Sequence, residues 1–133
     1  MKLNEYQEET KVTGDSFIFN EYQAKAKETA IYNLPIIYPT IGLNGEAGEV
    51  AENVKKMIRD DGGILTEERR QSIIKELGDV LWYLANLASD IGVTLDEVAC
   101  QNLEKLNLRK EKGVLKGDGD TRELTNEIRS EDD

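Results

Sequence analysis

The chain has 133 residues, of which 27 are acidic and 17 basic, giving a formal net charge of −10. Its length suits a single compact domain, and its negative charge excludes proteins that coat nucleic-acid polymers or anionic membranes. The chain has a lone cysteine, Cys100, and it shows neither an apolar leader nor a run of about 18 apolar residues. Together these features predict a cytoplasmic protein.

The first predicted element is a polar N-terminal arm over residues 1–15, followed by a helix from about Ser16 to Tyr32. Ser16 is the expected N-cap of this helix. Its apolar residues recur at helical spacing: Phe19, Tyr22, Ala26 and Ala30. The two prolines within residues 33–39 then rule out a continuous helix and predict a loop.

Two long helices are predicted next, and each carries an apolar stripe at helical spacing. The second helix is expected to start near Thr40 and to end at the glycine-containing turn 60–63. The third is expected to run from its N-cap Thr66 to Ile91, with Gly92 as its C-terminal stop.

The fourth helix is predicted to begin at Thr94, where a capping-box pattern occurs, and to end before Gly113. Residues 114–133 are rich in glycine and charge, which predicts a C-terminal loop or tail. No segment alternates with a period of two. The fold is therefore predicted to be all-α, a four-helix bundle-like domain over residues 16–113 with a flexible arm and tail.

Two pairs of acids have i, i+3 spacing on these predicted helices: Glu46 with Glu49, and Glu76 with Asp79. Three residues turn a helix by about 300°, so the two acids of a pair point in similar directions. Two such pairs facing each other would form an oxygen-rich site for a hard divalent cation. The alternative, for either pair taken alone, is an ordinary solvated pair on a helix flank.

Three glycines beside these acids favour the metal site. Gly45, Gly48 and Gly78 lie inside predicted helices, where each costs about 1 kcal/mol relative to alanine. Such a cost is expected where a neighbouring helix or a ligand must come close. The sequence also has no histidine, which excludes Ser-His-Asp and Cys-His catalysis and His-ligated zinc or di-iron sites. A metal site here must therefore use mainly oxygen ligands.

Further candidates are Asn102, Lys105 and Arg109, which share one face of the fourth helix with apolar residues. Burying such groups is costly unless they are paired. They could contact phosphate oxygens, or the two basic residues could instead keep their charged ends in water or pair with neighbouring acids. Near the acid pairs, Lys56 could contact a phosphate, and Tyr83 could stack on a base or donate a hydrogen bond.

These residues fall within three segments of the chain: Gly45-Glu46-Ala47-Gly48-Glu49-Val50-Ala51-Glu52, Lys75-Glu76-Leu77-Gly78-Asp79-Val80-Leu81-Trp82-Tyr83-Leu84 and Asn102-Leu103-Glu104-Lys105-Leu106-x-x-Arg109-Lys110. As a set, the three segments closely resemble the MazG-like nucleotide pyrophosphohydrolases. The ending Gly113-x-x-x-Gly117-Asp118-Gly119-Asp120-x-Arg122 resembles the tail of short stand-alone members, including phage-encoded ones.

The resemblance implies an all-α, homodimeric or homotetrameric enzyme that uses Mg²⁺, with Mn²⁺ as a substitute. It would hydrolyse nucleoside triphosphates, often deoxy ones, to the monophosphate and pyrophosphate, with residues 16–113 as the catalytic domain. The metal ligands would be Glu46, Glu49, Glu76 and Asp79, and the substrate contacts would be Asn102, Lys105 and Arg109, with Lys56 and Tyr83 matching less closely. Because histidine is absent, Glu46 or Glu49 is the expected general base.

Two alternatives stay open at this point. The chain could be a related pyrophosphatase that acts on dUTP or phosphoribosyl-ATP, or a non-catalytic helical module that oligomerises through its apolar stripes. The preferred base is not predicted either, although Gln23, Tyr22 and the loop 34–39 are candidates for contacting it.

Overall fold

The computed structural model describes residues 17–117, which form four helices and no strand. In chain order the helices are α1 (Phe17–Glu28), α2 (Ile37–Asp60), α3 (Glu67–Asp90) and α4 (Leu95–Glu111). The prediction of an all-α fold with four helices is thus confirmed. The predicted N-terminal arm, the Ser16 cap and the tail beyond residue 117 lie outside the described residues.

Two helix ends differ from the sequence prediction. α1 ends at Glu28 rather than near Tyr32, because the amide of Thr29 bonds back to Ala26 O in a tighter turn. α2 begins at Ile37 rather than Thr40, so that Pro39 lies in its first turn. A proline is tolerated there, since the first amides of a helix have no intrahelical acceptor.

The predicted C-terminal end of α2 and the predicted ends of α3 and α4 agree with the structure to within one or two residues. The hydroxyl of Thr66 accepts a 3.1 Å hydrogen bond from the amide of Arg69 and caps α3. Beyond α3, Gly92 adopts a φ of 78°, and the next amide, that of Val93, donates to Ala88 O at 3.0 Å. Gly113 closes α4 in the same way with a φ of 72°. Both positions need the left-handed conformation that glycine adopts without strain.

Contacts divide the chain into two units, one ending at Asp96 and the other beginning at Glu97. In the first unit, α2 and α3 form an antiparallel hairpin, and α1 packs against α3. At the turn end of the hairpin, the guanidinium of Arg69 donates to Asn53 Oδ1 at 3.3 Å and to Asp61 Oδ2 at 2.8 Å. This register places the middle of α2 beside the middle of α3.

The buried core of the first unit consists of small side chains and one leucine: Ala26, Ala85, Ala88 and Leu95. Four larger apolar residues are only partly buried against it: Tyr22, Trp82, Leu84 and Val93. In the second unit, the described residues Arg109 and Val114 are buried, and the amide of Val114 donates to Arg109 O at 2.8 Å.

Gln23 of α1 is a buried hydrogen-bonding residue. Its side-chain nitrogen donates to Ser89 Oγ at 3.0 Å and to Val93 O at 2.9 Å, and its oxygen accepts from the amide of Leu95 at 2.8 Å. It thereby satisfies one of the first amides of α4, which has no intrahelical partner. Gln23 is therefore a structural residue, and the expectation that it contacts a base is wrong.

None of the helices in the part of the chain that the structure describes is long and apolar enough to span a bilayer.

Candidate metal and substrate site

Three of the four predicted metal ligands converge in the middle of the α2–α3 hairpin. Glu46 comes from α2, and Glu76 and Asp79 come from α3. One carboxylate oxygen of each residue lies within 4.8 Å of the others. The antiparallel register explains this arrangement, because it brings one turn of α2 opposite the i, i+3 pair of α3.

The electrostatics of this acid cluster (Glu46, Glu76 and Asp79) fit a cation. Partial burial raises the pKa of Glu46, and the negative charges of Asp79, Glu76 and Glu49 raise it further. A hydrogen bond between Glu46 and Glu76 acts in the same direction. Oxygen ligands from several carboxylates are those that Mg²⁺ and other hard cations prefer. A divalent cation would therefore relieve the repulsion that the acid cluster contains by itself.

Glu49 lies outside the acid cluster. Its charge still acts on Glu46, one turn earlier in α2, but none of its oxygens belongs to the close group of three. The i, i+3 spacing does not by itself explain this, because Glu76 and Asp79 have the same spacing and both belong to the acid cluster. Its role as a ligand or base stays a prediction.

Tyr83 packs over Gly42 at the edge of the acid cluster. A Cβ at Gly42 would overlap the ring of Tyr83, so α2 and this side chain approach as closely as glycine permits. The nearby hydroxyl of Tyr38 raises the pKa of Tyr83, as do burial and the charges of Glu46 and Asp79. Tyr83 therefore lies between the acid cluster and Tyr38, which belongs to the first turn of α2.

The close approach occurs at Gly42, whereas the sequence pattern indicates three other glycines. At Gly45, Gly48 and Gly78, a Cβ would meet no other described atom within 4 Å. Of the two expectations for these glycines, the close approach of a neighbouring helix is wrong for the described residues, and the close approach of a ligand stays a prediction. The spacing does contain a signal for Gly42. Gly42 precedes Glu46 by one turn, and Tyr83 follows Asp79 by one turn, so antiparallel helices that bring the acids together also bring Gly42 near Tyr83.

In the second unit, Asn102 and Lys105 line one groove. Its volume is about 350 Å³, and Val98 and Gln101 complete its wall. The i, i+3 spacing of Asn102 and Lys105 on α4 accounts for their shared face. Arg109 is not among the lining residues and is only 4% exposed. The alternative in which Arg109 keeps its charged end in water is therefore wrong.

Lys56 pairs with an acid of its own helix. Its ammonium lies 3.7 Å from Glu52 Oε1, and Lys55 pairs with the other oxygen of Glu52 at 2.6 Å. Lys56 is half-buried, and a phosphate contact by it stays a prediction.

Comparisons with known proteins agree with this architecture. Residues 40–114 match the family described as the MazG nucleotide pyrophosphohydrolase domain. The matched range contains the acid cluster, Glu49 and the three candidates on α4. The chain is also similar to the Gene 37 protein of Mycobacterium phage L5, with 47% identity over 109 residues that cover 76% of this chain and 96% of the relative. No solved structure shows significant similarity. The chain therefore belongs to the family of proteins with a MazG nucleotide pyrophosphohydrolase domain.

Proposed function

We propose that this protein is a Mg²⁺-dependent pyrophosphohydrolase that converts nucleoside triphosphates, including deoxynucleoside triphosphates, to the monophosphate and pyrophosphate. The observation that carries the proposal is the convergence of Glu46, Glu76 and Asp79 from two antiparallel helices in a chain of this family. Mn²⁺ is the expected substitute, because it accepts the same oxygen ligands.

In this proposal the acid cluster binds the metal and Glu49 acts beside it. When bound, Mg²⁺ would neutralise charge on the phosphate oxygens and lower the pKa of water. Glu46 contributes an oxygen to the acid cluster, whereas Glu49 does not, so Glu49 is the better placed of the two to accept the proton of the attacking water. The water oxygen bonds to the α-phosphorus, the bond from that phosphorus to the α–β bridging oxygen breaks, and pyrophosphate leaves.

The remaining site residues are assigned to the anionic part of the substrate. Lys105 and Asn102, which share a groove on α4, suit a phosphate oxygen and a sugar or base oxygen respectively. Arg109 and Lys56 are proposed as further basic contacts. The three basic residues carry positive charge and Asn102 can donate hydrogen bonds. They therefore complement the negative charge of a triphosphate locally, although the net charge of the protein is −10.

We further propose that the working form is a homo-oligomer. The largest fully buried side chains are Asn86 and Pro39, so the described residues contain little apolar core. Large apolar side chains on α2 and α3 are instead exposed to solvent, among them Ile41 at 69%, Ile58 at 66% and Leu77 at 51%. A second copy of the chain would cover such surface, and sedimentation equilibrium measures the resulting mass.

The enzymatic proposal is tested by incubating the protein with each NTP and dNTP, with dUTP and phosphoribosyl-ATP in the same panel, and identifying the products. Monophosphate and pyrophosphate in equal amounts are expected, and chelation with EDTA should stop turnover. Orthophosphate as the sole inorganic product, or turnover that EDTA leaves unchanged, would contradict the proposal. A non-catalytic module would turn over nothing and would show no thermal stabilisation by Mg²⁺.

A further inference from the structure

The loop between α1 and α2, together with one residue of α2 and one of α3, forms an aromatic recess that the proposed roles above do not use. The aromatic recess has a volume of about 260 Å³ and is lined by Ile31, Tyr32, Asn33, Tyr38 and Trp82. The aromatic rings that line it are in contact with one another. Tyr32 and Tyr38 stack with their centroids 5.1 Å apart, and Trp82 meets Tyr32 edge-on at 6.3 Å.

One further aromatic ring connects this recess to the acid cluster. The ring of Tyr83 lies 6.1 Å from that of Tyr38 and 5.0 Å from that of Trp82, centroid to centroid. Tyr83 follows Asp79 by one turn of α3 and packs on Gly42, which precedes Glu46 by one turn of α2. A ligand anchored at the acid cluster could therefore extend across Tyr83 toward the recess.

We propose that the aromatic recess holds the planar base of the nucleotide while the acid cluster holds its phosphate end, an assignment that rests on the proposed function. The volume of the recess is slightly below the 300–1,000 Å³ that is typical of pockets for whole drug-sized ligands, so it suits one ring system. Aromatic faces bind the faces of all bases by stacking.

Asn33 supplies the polar group of the recess. Its side chain is exposed, and among the described residues its amide makes no hydrogen bond, so both a donor and an acceptor are available to the edge of a base. The other candidates for base contact from the sequence are occupied. Gln23 is hydrogen-bonded to three groups, and Tyr22 packs against the buried core.

Asp90 acts as the positioning residue of the recess. Its Oδ2 accepts hydrogen bonds from the hydroxyl of Tyr32 and from the amide of Ile36, both at 2.9 Å. Ile36 has a φ of 67°, a left-handed conformation that is strained for a β-branched residue. Asp90 thus holds one wall directly and stabilises the strained turn that leads to Tyr38. Because these residues are already held in place, less conformational entropy is lost when a ligand binds.

Trp82 makes a direct test possible, because it is the only tryptophan of the chain and lines the recess. The full-length protein is titrated, in the presence of Mg²⁺, with an α,β-methylene dNTP and separately with inorganic tripolyphosphate. The methylene group of the first probe replaces the α–β bridging oxygen whose bond is cleaved, and the second probe contains no nucleoside. Neither probe can therefore release a nucleoside monophosphate. The nucleotide should change Trp82 fluorescence, whereas tripolyphosphate should compete with it and leave the fluorescence of the free protein unchanged.

Variants of the walls test the same assignment by kinetics. Tyr38→Leu removes a ring and should raise the KM for dNTPs about tenfold or more, while Tyr38→Phe keeps the ring and should largely restore the KM. Asn33→Ala changes an exposed residue and should raise the KM with little effect on kcat. Circular dichroism checks that each variant folds.

The outcomes separate this proposal from the proposed function. If dNTPs are hydrolysed to monophosphate and pyrophosphate, but Trp82 fluorescence does not respond and all three variants keep the wild-type KM, the base binds elsewhere and this proposal fails alone. If dNTPs are not hydrolysed and neither of the two probes binds, the proposed function fails. A fluorescence response to the nucleotide together with a raised KM in Tyr38→Leu and Asn33→Ala supports the recess as the base subsite.

Discussion

The hydroxyl of Tyr32 donates a 2.9 Å hydrogen bond to Oδ2 of Asp90, the last residue of α3. Because the same oxygen accepts the amide of Ile36, one carboxylate connects the end of α3 to both sides of the turn before α2. The chain thereby fixes a loop that contains Pro35 and the strained Ile36 and has no regular secondary structure.

This bond predicts a loss of stability at high pH. Burial, the hydrogen bond to Asp90 and the charge of Asp90 together raise the pKa of Tyr32 from 10.0 to about 12. A raised pKa in the folded state means that the contribution of Tyr32 is complete below pH 10.0 and is lost as the pH rises toward about 12. The stability advantage of the wild type over Tyr32→Phe in urea denaturation should therefore shrink across this range.

The comparison with Tyr32→Phe removes the effect of other tyrosines, because both proteins contain them. An advantage of the wild type that stays constant from pH 9 to 12 would show that the phenol of Tyr32 is not held by Asp90 in solution.

Gly42→Ala should damage the site, whereas Gly45→Ala should not damage the fold. A Cβ at position 42 overlaps the ring of Tyr83, and overpacking of this kind typically costs about 1–3 kcal/mol. The displaced ring lies next to the acid cluster, so turnover should fall as well. At Gly45 the space for a Cβ is open, and the change should stabilise α2 by up to about 1 kcal/mol.

Urea denaturation and dNTP turnover of both variants measure these effects. A destabilised Gly45→Ala variant whose assembly is weakened would show that a second copy approaches at this glycine. A Gly42→Ala variant with wild-type stability and turnover would show that Tyr83 does not pack on α2 as described.

The acid cluster was predictable because it depends mainly on local geometry. The i, i+3 spacing and the apolar stripes fix where Glu46, Glu76 and Asp79 lie on their helices, and a short turn makes the two helices antiparallel. The position of Glu49 outside the close group was not predictable, because Glu46 and Glu49 have the same i, i+3 spacing as Glu76 and Asp79, which both belong to the group.

Contacts that depend on the tertiary path of the chain could not be predicted in this way. The packing of Tyr83 on Gly42 requires the register of α2 against α3. The bond between Tyr32 and Asp90 joins residues 58 positions apart through a loop without periodicity. The sequence named Gln23 only as a candidate for contacting the base, because its burial follows from the place where the α3–α4 connection meets α1.

Gln23→Ala should destabilise the fold without a specific effect on catalysis. The change leaves the amide of the buried residue Leu95 without its acceptor, and an unsatisfied buried donor costs about 1–3 kcal/mol. Gln71→Ala is a matched control, since Gln71 is exposed and bonds only Glu67 on its own helix among the described residues. Urea denaturation should separate the two variants. Equal stability of both would mean that water replaces the Gln23 oxygen.

Asp79→Asn and Glu49→Gln should separate metal binding from proton transfer. Asp79 belongs to the acid cluster, so Asp79→Asn should abolish both turnover and the thermal stabilisation by Mg²⁺, which for the wild type at a hundred times Kd corresponds to about 2.7 kcal/mol. Glu49 lies outside the close group, so Glu49→Gln should keep most of that stabilisation while turnover falls by a factor of about 10² or more. Thermal melts with and without Mg²⁺, run beside product assays, measure both quantities. If Glu49→Gln instead loses the Mg²⁺ stabilisation as completely as Asp79→Asn, Glu49 is a fourth ligand, and Glu46 is left as the candidate base.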